Sequence, residues 1–487
     1  MNLTEAASLM DAKTEELAVE MFDKKIEKFS IDSRAVGAGE LFFALSQKDY
    51  ERAGFNGVFA DGHEYVGSAF ASGALAAVVR SDHMTVMEAF RGRLLVVEDA
   101  IAALQIFAHR VYEAWSKPVV GITGSAGKTT AKELTAHLLQ QSGHRLLKSE
   151  RNYNNGLGLP LTVLRLVSEG NSPADFDLAV LEMGMSSPTH EIQRLVKVTP
   201  PDIGVELMVA PVHLEHLGTI ENIAAAKAEL IEGLKPDGIA ILNADDPLVM
   251  AMRSKHAGRT LTFGIQNPAD VTAAGIQGHR LGLTRFRLRT PLGETDAELP
   301  MSGRHNLMNA LAAAAVATCF KIAPGAIAEA LKSFTAPKMR GEILNFAAGF
   351  TVVDDSYNSN PRSLLSMVKT IAAFEGKNIR RFVIAGEMLE LGVDEREMHE
   401  DAGRAIAEAG VDVLWGVRGL AADILKGAEA AGLGQTRFFD SSEEAALAVL
   451  SEARRGDLLL IKGSRGVATD KIVKSLKEHF VLTEAEE

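Results

Sequence analysis

Gly121-Ile-Thr-Gly-Ser-Ala-Gly-Lys-Thr-Thr130 is the stretch that decides the fold. An apolar run, Pro118-Val-Val-Gly-Ile122, leads into it like a buried strand, and a segment carrying Leu134, Leu138 and Leu139 leads out like an amphipathic helix. A glycine loop between strand and helix aims several backbone N–H groups, and the positive end of the helix dipole, at one spot. That spot suits a polyphosphate. Gly124, Ser125, Ala126, Gly127 and Thr130 would surround it, Lys128 would reach the outer phosphates, and the Thr129 hydroxyl would ligate Mg²⁺. The usual spacing puts glycine at 122, where this chain has Ile122; its glycines fall at 121, 124 and 127. The loop predicts a nucleoside triphosphate site and leaves open what the energy is used for.

Working outward, 487 residues are a prior for about three domains. Hydrophobic residues make up 47% and charged residues 24%, as in ordinary globular proteins. A net charge of −13 argues against general nucleic-acid or anionic-membrane binding, while leaving room for an anionic substrate held by local positive charge. The single cysteine, Cys319, excludes an internal disulfide framework and reads as a small core residue in an alanine-rich helix. No run of about 18 uninterrupted apolar residues is present to span a bilayer, and no basic-then-apolar signal pattern opens the chain. A cytoplasmic, multi-domain α/β enzyme without stable membrane insertion is expected.

Residues 1–115 mix short strands and helices without a phosphate loop. From 116 to 336, candidate strands at 118–122, 177–182, 203–209 and 238–242 alternate with helical patterns. That alternation implies βαβ units in a mostly parallel sheet, with ligands at the carboxyl ends of its strands. Thr335-Ala-Pro337 reads as a linker, and residues 337–487 form a second alternating region with strands at 350–354, 381–385, 411–415 and 457–461.

Further constellations carry chemistry. Asp177-Leu-Ala-Val-Leu-Glu182 is an apolar run ending in a carboxylate, which would deliver Glu182 beside the loop as a Mg²⁺ ligand. In the helical pattern 220–234, at about 100° per residue, Ile220, Ile223, Leu230, Ile231 and Leu234 fall within roughly 60° of Lys227. Glu221, Glu229 and Glu232 fall on the far side. A lysine in an apolar stripe either packs its stem and sends its head to water, or is held neutral by burial. A neutral amine reacts with CO₂ to give a carbamate, a carboxylate-like metal ligand. His213 follows the 203–209 run and offers an imidazole to a second ion, with the nearby His216 as a decoy. Asn306 and Asn309 share a helix face, where they either cap the helix or present paired donor and acceptor groups to an adenine edge. Asp355, at another strand end, and Arg340 before it offer a ribose acceptor and a γ-phosphate cation.

Taken in order, Thr123-Gly-Ser-Ala-Gly-Lys-Thr-Thr130, Glu182-Met-Gly184, His213-Leu-Glu215, Ala226-Lys-Ala-Glu229, Asn243-Ala-Asp-Asp-Pro247 and Gly303-Arg-His-Asn-Leu-Met-Asn309 resemble the Mur ligases of peptidoglycan synthesis. The similarity runs over nearly the whole chain, and the family's variant loop accounts for Ile122. Asp32-Ser-Arg34, Gly39-Glu-Leu-Phe-Phe-Ala-Leu45 and Asp61-Gly-His63 look like the family's uridine-binding domain, with Ser33 and Arg34 as substrate contacts. Asn152-Tyr-Asn-Asn155, Asp354-Asp-Ser-Tyr-Asn-Ser-Asn-Pro361 and Lys462-Gly-Ser-Arg465 look like the member that adds D-alanyl-D-alanine, and the Asp-Asn-Pro-Arg segment expected of the tripeptide synthetase is missing. On that basis Asn154, Asn155, Tyr357, Asn360, Lys462, Ser464 and Arg465 become substrate contacts.

The resemblance implies three domains: an N-terminal mixed α/β uridine-binding domain, a central parallel-sheet phosphate-loop ATPase-type domain, and a C-terminal Rossmann-like ligase domain. It implies ATP and two Mg²⁺ ions, one at Thr129 and Glu182, the other at His213 and a carbamylated Lys227. Lys128, Lys227, His213 and Glu182 are then the catalytic set. The implied reaction joins D-alanyl-D-alanine to UDP-N-acetylmuramoyl-tripeptide through an acyl phosphate, by a protein acting as a monomer. A ligase adding a single diamino acid, or a non-ligating nucleotide-binding module on the same fold, is the alternative. One departure stands out: the family's Asn five residues before the histidine is Met208 here.

Overall fold

The computed structural model describes residues 1–85, 87–150, 152–185, 190–212, 214–374 and 379–483, with the backbone alone at 279 and 280. Its strands form three sheets. The first contains β1 (Lys28–Ser30), β2 (Glu40–Phe43), β3 (Ala76–Arg80) and β4 (Leu94–Val97), all parallel and in that order. The second contains nine strands: β5 (Val119–Thr123), β6 (Leu146–Lys148), β7 (Leu178–Glu182), β8 (Ile203–Glu206), β9 (Ile239–Asn243), β10 (Arg259–Gly264), β11 (Val271–Arg280), β12 (Leu283–Thr290) and β13 (Gly293–Leu299). The third contains six: β14 (Glu342–Asn345), β15 (Thr351–Asp354), β16 (Arg380–Gly386), β17 (Val413–Val417), β18 (Thr436–Phe439) and β19 (Asp457–Lys462). The helices that matter for the site are α1 (Ala100–Trp115), α2 (Lys128–Gln141), α3 (Gly158–Leu164), α4 (Glu191–Val198), α5 (Ile220–Glu232), α6 (Arg304–Cys319) and α7 (Pro361–Ala372).

In the second sheet the order is β13-β12-β11-β10-β9-β8-β5-β7-β6. The chain leaves β5 for β6 on one side, returns through β7, and then crosses to β8 on the other. The crevice at the carboxyl end of β5 is therefore a topological switch point, where open α/β sheets bind ligands. All five residues of β5 and of β7 are buried, as expected of strands covered by helices on both faces. The carboxyl-end strand expected at 203–209 stops at Glu206. Beyond it the backbone leaves the ladder, and the Val209 N–H donates to the Asp246 carboxylate at 3.0 Å.

The apolar core beneath the first sheet runs on into the central unit without a break. Leu41, Phe43 and Phe107 of the N-terminal part belong to the same buried cluster as Leu181, Leu195 and Leu230. Helix α1 is the shared wall. The third sheet has cores of its own on its two faces, around Phe382 and Val383. Helix Pro324–Lys332 is followed by a stretch without regular structure up to β14.

One buried ion pair pins the N-terminal sheet. Asp49, 0% exposed, accepts from Arg80 Nη1 at 2.7 Å, from the Ser46 N–H at 2.7 Å and from the Ala100 N–H at the start of α1 at 3.1 Å. Removing Asp49 leaves Arg80 Nη1 and the N–H groups of Ser46 and Ala100 buried without their acceptor, although Asp82 still accepts from Arg80 Nε and Nη2 at 2.9 and 3.0 Å. Asp49→Ala is expected to destabilise this unit by about 3–5 kcal/mol, measured by urea denaturation; a change under about 1 kcal/mol would show that the network is replaceable. Close by, Asp61 joins the stacked rings of His63 and His83 at 2.6 and 2.9 Å, and His63 Nε2 accepts from the Arg80 N–H.

Candidate active site

The glycine loop joins β5 to α2 at the switch point. Gly124 (φ +152°) and Gly127 (φ +85°) both take backbone angles that side chains disfavour. A Cβ on Gly127 would come within 2.4 Å of Asn309 Oδ1, so α6 closes directly on the loop. Lys128 folds back over the loop, its Nζ donating to the Gly124 carbonyl at 2.8 Å. Desolvation lowers the pKa of Lys128; Glu182 and Glu206 oppose that shift and Arg340 adds to it.

Strand register brings carboxylates to both flanks of β5. Ile122 sits beside Glu182 of β7, and Thr123 beside Glu206 of β8. Glu182, 3% exposed, accepts from Thr129 Oγ1 at 3.0 Å and from Asn154 Nδ2 at 2.9 Å. A hydroxyl and a carboxylate converging beside a phosphate loop give the oxygen donor set that a hard divalent cation takes. Thr129, Glu182 and Asn154 thus meet at one point, as the sequence spacing predicts for the first two.

Lys227 lies on the face of α5 turned to the sheet and is 2% exposed. Its head does not reach water. Burial lowers its pKa to about 7, Lys128 pushes in the same direction, and Glu206 opposes. The strand glycines explain the depth: Gly121 and Gly204 let Leu230 and Leu234 of α5 press onto the sheet, 3.0 Å from where Cβ atoms would stand. Glu229, expected on the solvent side with Glu221 and Glu232, is instead 7% exposed. It accepts from the Gln193 N–H of α4 at 3.0 Å and meets His190 Nδ1 at 2.5 Å, because the N-terminal end of α4 docks against that flank.

The loop faces the C-terminal unit across a cavity of about 400 Å³. Residues 125–130, Asn154, Glu182, Met208, Asn306 and Asn309 line one side; Arg340, Asp355, Tyr357, Asn360 and Lys462 line the other. Asn306 and Asn309 are buried, and Asn306 Nδ2 donates to the Ser302 carbonyl at 2.8 Å. The Arg340 guanidinium lies 4.1 Å above the Tyr357 ring. Lys462 Nζ bonds Asp355 at 2.5 Å and the Asn358 carbonyl at 2.8 Å, tying the ends of β15 and β19 together. Across the cleft His305 Nδ1 meets Ser366 Oγ of α7 at 2.8 Å, and burial pushes the imidazole down to about 4.

Several expected residues stand elsewhere. Arg34 is exposed and paired bidentately with Asp32 at 2.9 Å on both bonds; neither it nor Ser33 lines the cleft. Asn155 Oδ1 accepts from the N–H groups of Leu157 and Gly158 at the start of α3. Ser464 is buried, with its hydroxyl accepting from the Leu389 N–H at 2.9 Å. Arg465 stands 5.9 Å from the Tyr357 ring, outside the lining. His213 lies outside the described residues. Cys319 is half-buried at the end of α6, its thiol pushed up to about 11 by burial.

Sequence reasoning assigned no role to Asn152, Asn243, Asp245, Phe263, Gln266, Arg304 and His305, which also line the cleft. Asn243-Ala-Asp-Asp-Pro247, an acid-rich turn at a strand end, was the visible signal for two of them. Asp245 holds the turn after β10 by accepting from the N–H groups of Ile265, Gln266 and Asn267 at 2.8–2.9 Å.

A phosphate loop at the switch point of a doubly wound sheet, facing a second α/β unit across a cleft, defines a nucleoside-triphosphate-binding enzyme of the phosphate-loop class. Residues 122–317 match the model of the Mur ligase middle domain, and residues 339–465 that of the Mur ligase glutamate ligase domain. The chain belongs to the Mur ligase family. It is 32% identical to the UDP-N-acetylmuramoyl-tripeptide--D-alanyl-D-alanine ligase of Bacillus subtilis (strain 168), over 93% of each chain. The crystal structure of MurF from Acinetobacter baumannii superposes with a TM-score of 0.82 at 26% identity, covering 98% of both chains. MurF from Thermotoga maritima, solved in complex with ADP, gives 0.76 at 26% identity, over 93% of this chain and 97% of that one. No helix among the described residues is long and apolar enough to cross a membrane.

Proposed function

We propose that this chain is an ATP-dependent ligase that joins D-alanyl-D-alanine to UDP-N-acetylmuramoyl-tripeptide, giving the pentapeptide precursor, ADP and phosphate, and that it works in the cytoplasm. The observation that carries the reading is full-length similarity to D-alanyl-D-alanine-adding ligases, combined with a cleft that sets the phosphate loop opposite the C-terminal unit.

A carboxylate is a poor acyl donor because its leaving group would be oxide. The tripeptide carboxylate attacks the γ-phosphorus, the bond to the β-phosphate oxygen breaks, and ADP leaves. The dipeptide amine then attacks the acyl carbon; the C–O bond to phosphate breaks, and the nitrogen sheds its extra proton to solvent. The difficulty is bringing anions together, and fixed positive charge addresses it. Lys128 and the loop N–H groups bind the outer phosphates, and Arg340 approaches the γ-phosphate from the other side. Asn306, Asn309 and Asp355 hold the nucleoside. Tyr357, Asn360 and Lys462 bound the C-terminal side, where the incoming dipeptide would lie. Thr129 and Glu182 would hold one Mg²⁺, and a carbamylated Lys227 would help to hold a second; such ions offset charge on phosphate oxygens. Closing the cleft would keep water from the acyl phosphate.

Phosphate release from ATP tests the reading. With UDP-N-acetylmuramoyl-tripeptide, release is expected to depend on D-alanyl-D-alanine and not on free diamino acids. No release with the dipeptide would overturn the proposal, and release with the nucleotide dipeptide plus a diamino acid would assign the alternative ligase activity.

A further inference from the structure

Glu206 has no part in the reading so far, and its setting is unusual. It ends β8, with Thr123 of β5 on one side and Leu242 of β9 on the other. It is 0% exposed, and neither carboxylate oxygen has a hydrogen-bond partner among the described residues. A buried carboxylate left this way is costly unless nearby charge compensates it.

The pleat says where the side chain points. Gly204, two residues earlier and so on the same face of β8, packs against Leu230 and Leu234 of α5. Two residues along the strand advance roughly 6.6 Å toward the carboxyl edge. Three residues back along α5, about 4.5 Å, lead from Leu230 to Lys227 at nearly the same level. Glu206 and Lys227 therefore occupy the facing strand and helix positions just under the phosphate loop. The charges acting on Glu206 come from Lys227, Lys128 and Asp246, and burial pushes its carboxyl up to about 8 against the two lysines. Asp246 is already engaged by the N–H groups of Val209, Leu248 and Val249.

We propose that Glu206 is a positioning residue that acts through Lys227: its buried carboxyl group faces the Lys227 head group, bonds it in the working enzyme and so fixes where that group stands beneath the outer phosphates. Either form of Lys227 keeps an N–H to turn toward Glu206, as an ammonium or as the nitrogen of a carbamate. The carbamate oxygens would then face the phosphates.

Two cycles test this. The first measures thermal midpoints of the ligand-free full-length chain for Glu206→Leu, Lys227→Met and the double variant. If the two groups compensate each other, each single change leaves a buried polar head group without its partner and lowers Tm, while the double variant stands above both singles. Additive shifts would overturn the pairing, because independent sites add. The second measures phosphate release with all three substrates and rests on the proposed ligase activity. Glu206→Gln, of the same shape, is expected to lower kcat about tenfold with the KM for ATP within about twofold, as for an interaction felt mainly in the transition state. Glu206→Asp should recover part of the loss. An unchanged kcat in Glu206→Gln would overturn the positioning role. If the ligase activity itself is misassigned, the wild type releases no phosphate with the dipeptide, while the Tm cycle still reports on the pair.

Discussion

Lys227→Ala is expected to lower D-alanyl-D-alanine-dependent phosphate release roughly 10²–10³-fold, the usual loss when one fixed electrostatic contact to a transition state is removed. The side chain is 2% exposed, does not line the cleft, and is close enough to Lys128 and Glu206 to feel both charges. Burial, and then Lys128, lower its pKa to about 7, which favours the neutral amine that the proposed carbamylation needs. Truncation leaves a hole the length of a lysine stem and removes the group facing Glu206. Short carboxylic acids such as acetate or propionate are expected to restore part of the rate by placing a carboxylate in that hole. Full activity without rescue would return Lys227 to a packing role. A loss that no carboxylic acid relieves would mean that the amine itself is the working group.

Gly127→Ala is the second large effect. At φ +85° an L-residue is strained by about 1–2 kcal/mol, and its Cβ would stand 2.4 Å from Asn309 Oδ1. Relief requires Asn309 to swing away, taking with it the proposed nucleoside contact, or the loop to lift off α6. Either shift displaces the phosphates, and a displacement of about 1 Å costs on the order of 10²-fold in rate. The expected result is a fall in kcat/KM for ATP of that size, with the unfolding midpoint little changed because the loop lies at the cleft. Asn309→Ala by itself measures that contact. If the collision is the cause, the double variant is expected to be no worse than the more impaired single variant, whereas losses that multiply would show that the strained backbone angle, and not the contact, is decisive.

The loop was legible because its signals are local. Glycines at 124 and 127, a buried strand before them and an amphipathic helix after them specify backbone angles and a helix N-terminus over ten residues. Glu182 was legible for the same reason, since an apolar run ending in an acid places that acid at a sheet edge. Lys227 was half legible. The 3.6-residue period put it in the apolar stripe, but whether its head reached water depended on glycines in two strands, one of them more than a hundred residues away.

Other features left no local trace. Glu206 sits inside the 203–209 run, where a single acid among apolar residues carries no signal of what will face it. Glu229 follows the helical period of a surface acid, yet α4 covers it. The bond between Asp355 and Lys462 joins residues that 107 positions separate. Ser33 and Arg34 carry a family-like motif, but they stand away from the nucleotide cleft, where Arg34 pairs with Asp32.

By itself, the sequence determined the phosphate loop, the α/β alternation and the order of the motifs, because each depends on dihedral preference, periodicity or a helix terminus within one or two elements. Only the tertiary structure decided which carboxylates lose their water, which lysine they face, and which motifs meet across the cleft. Those outcomes depend on strand order and on how closely helices approach the sheet, and both are set by residues far apart in the chain.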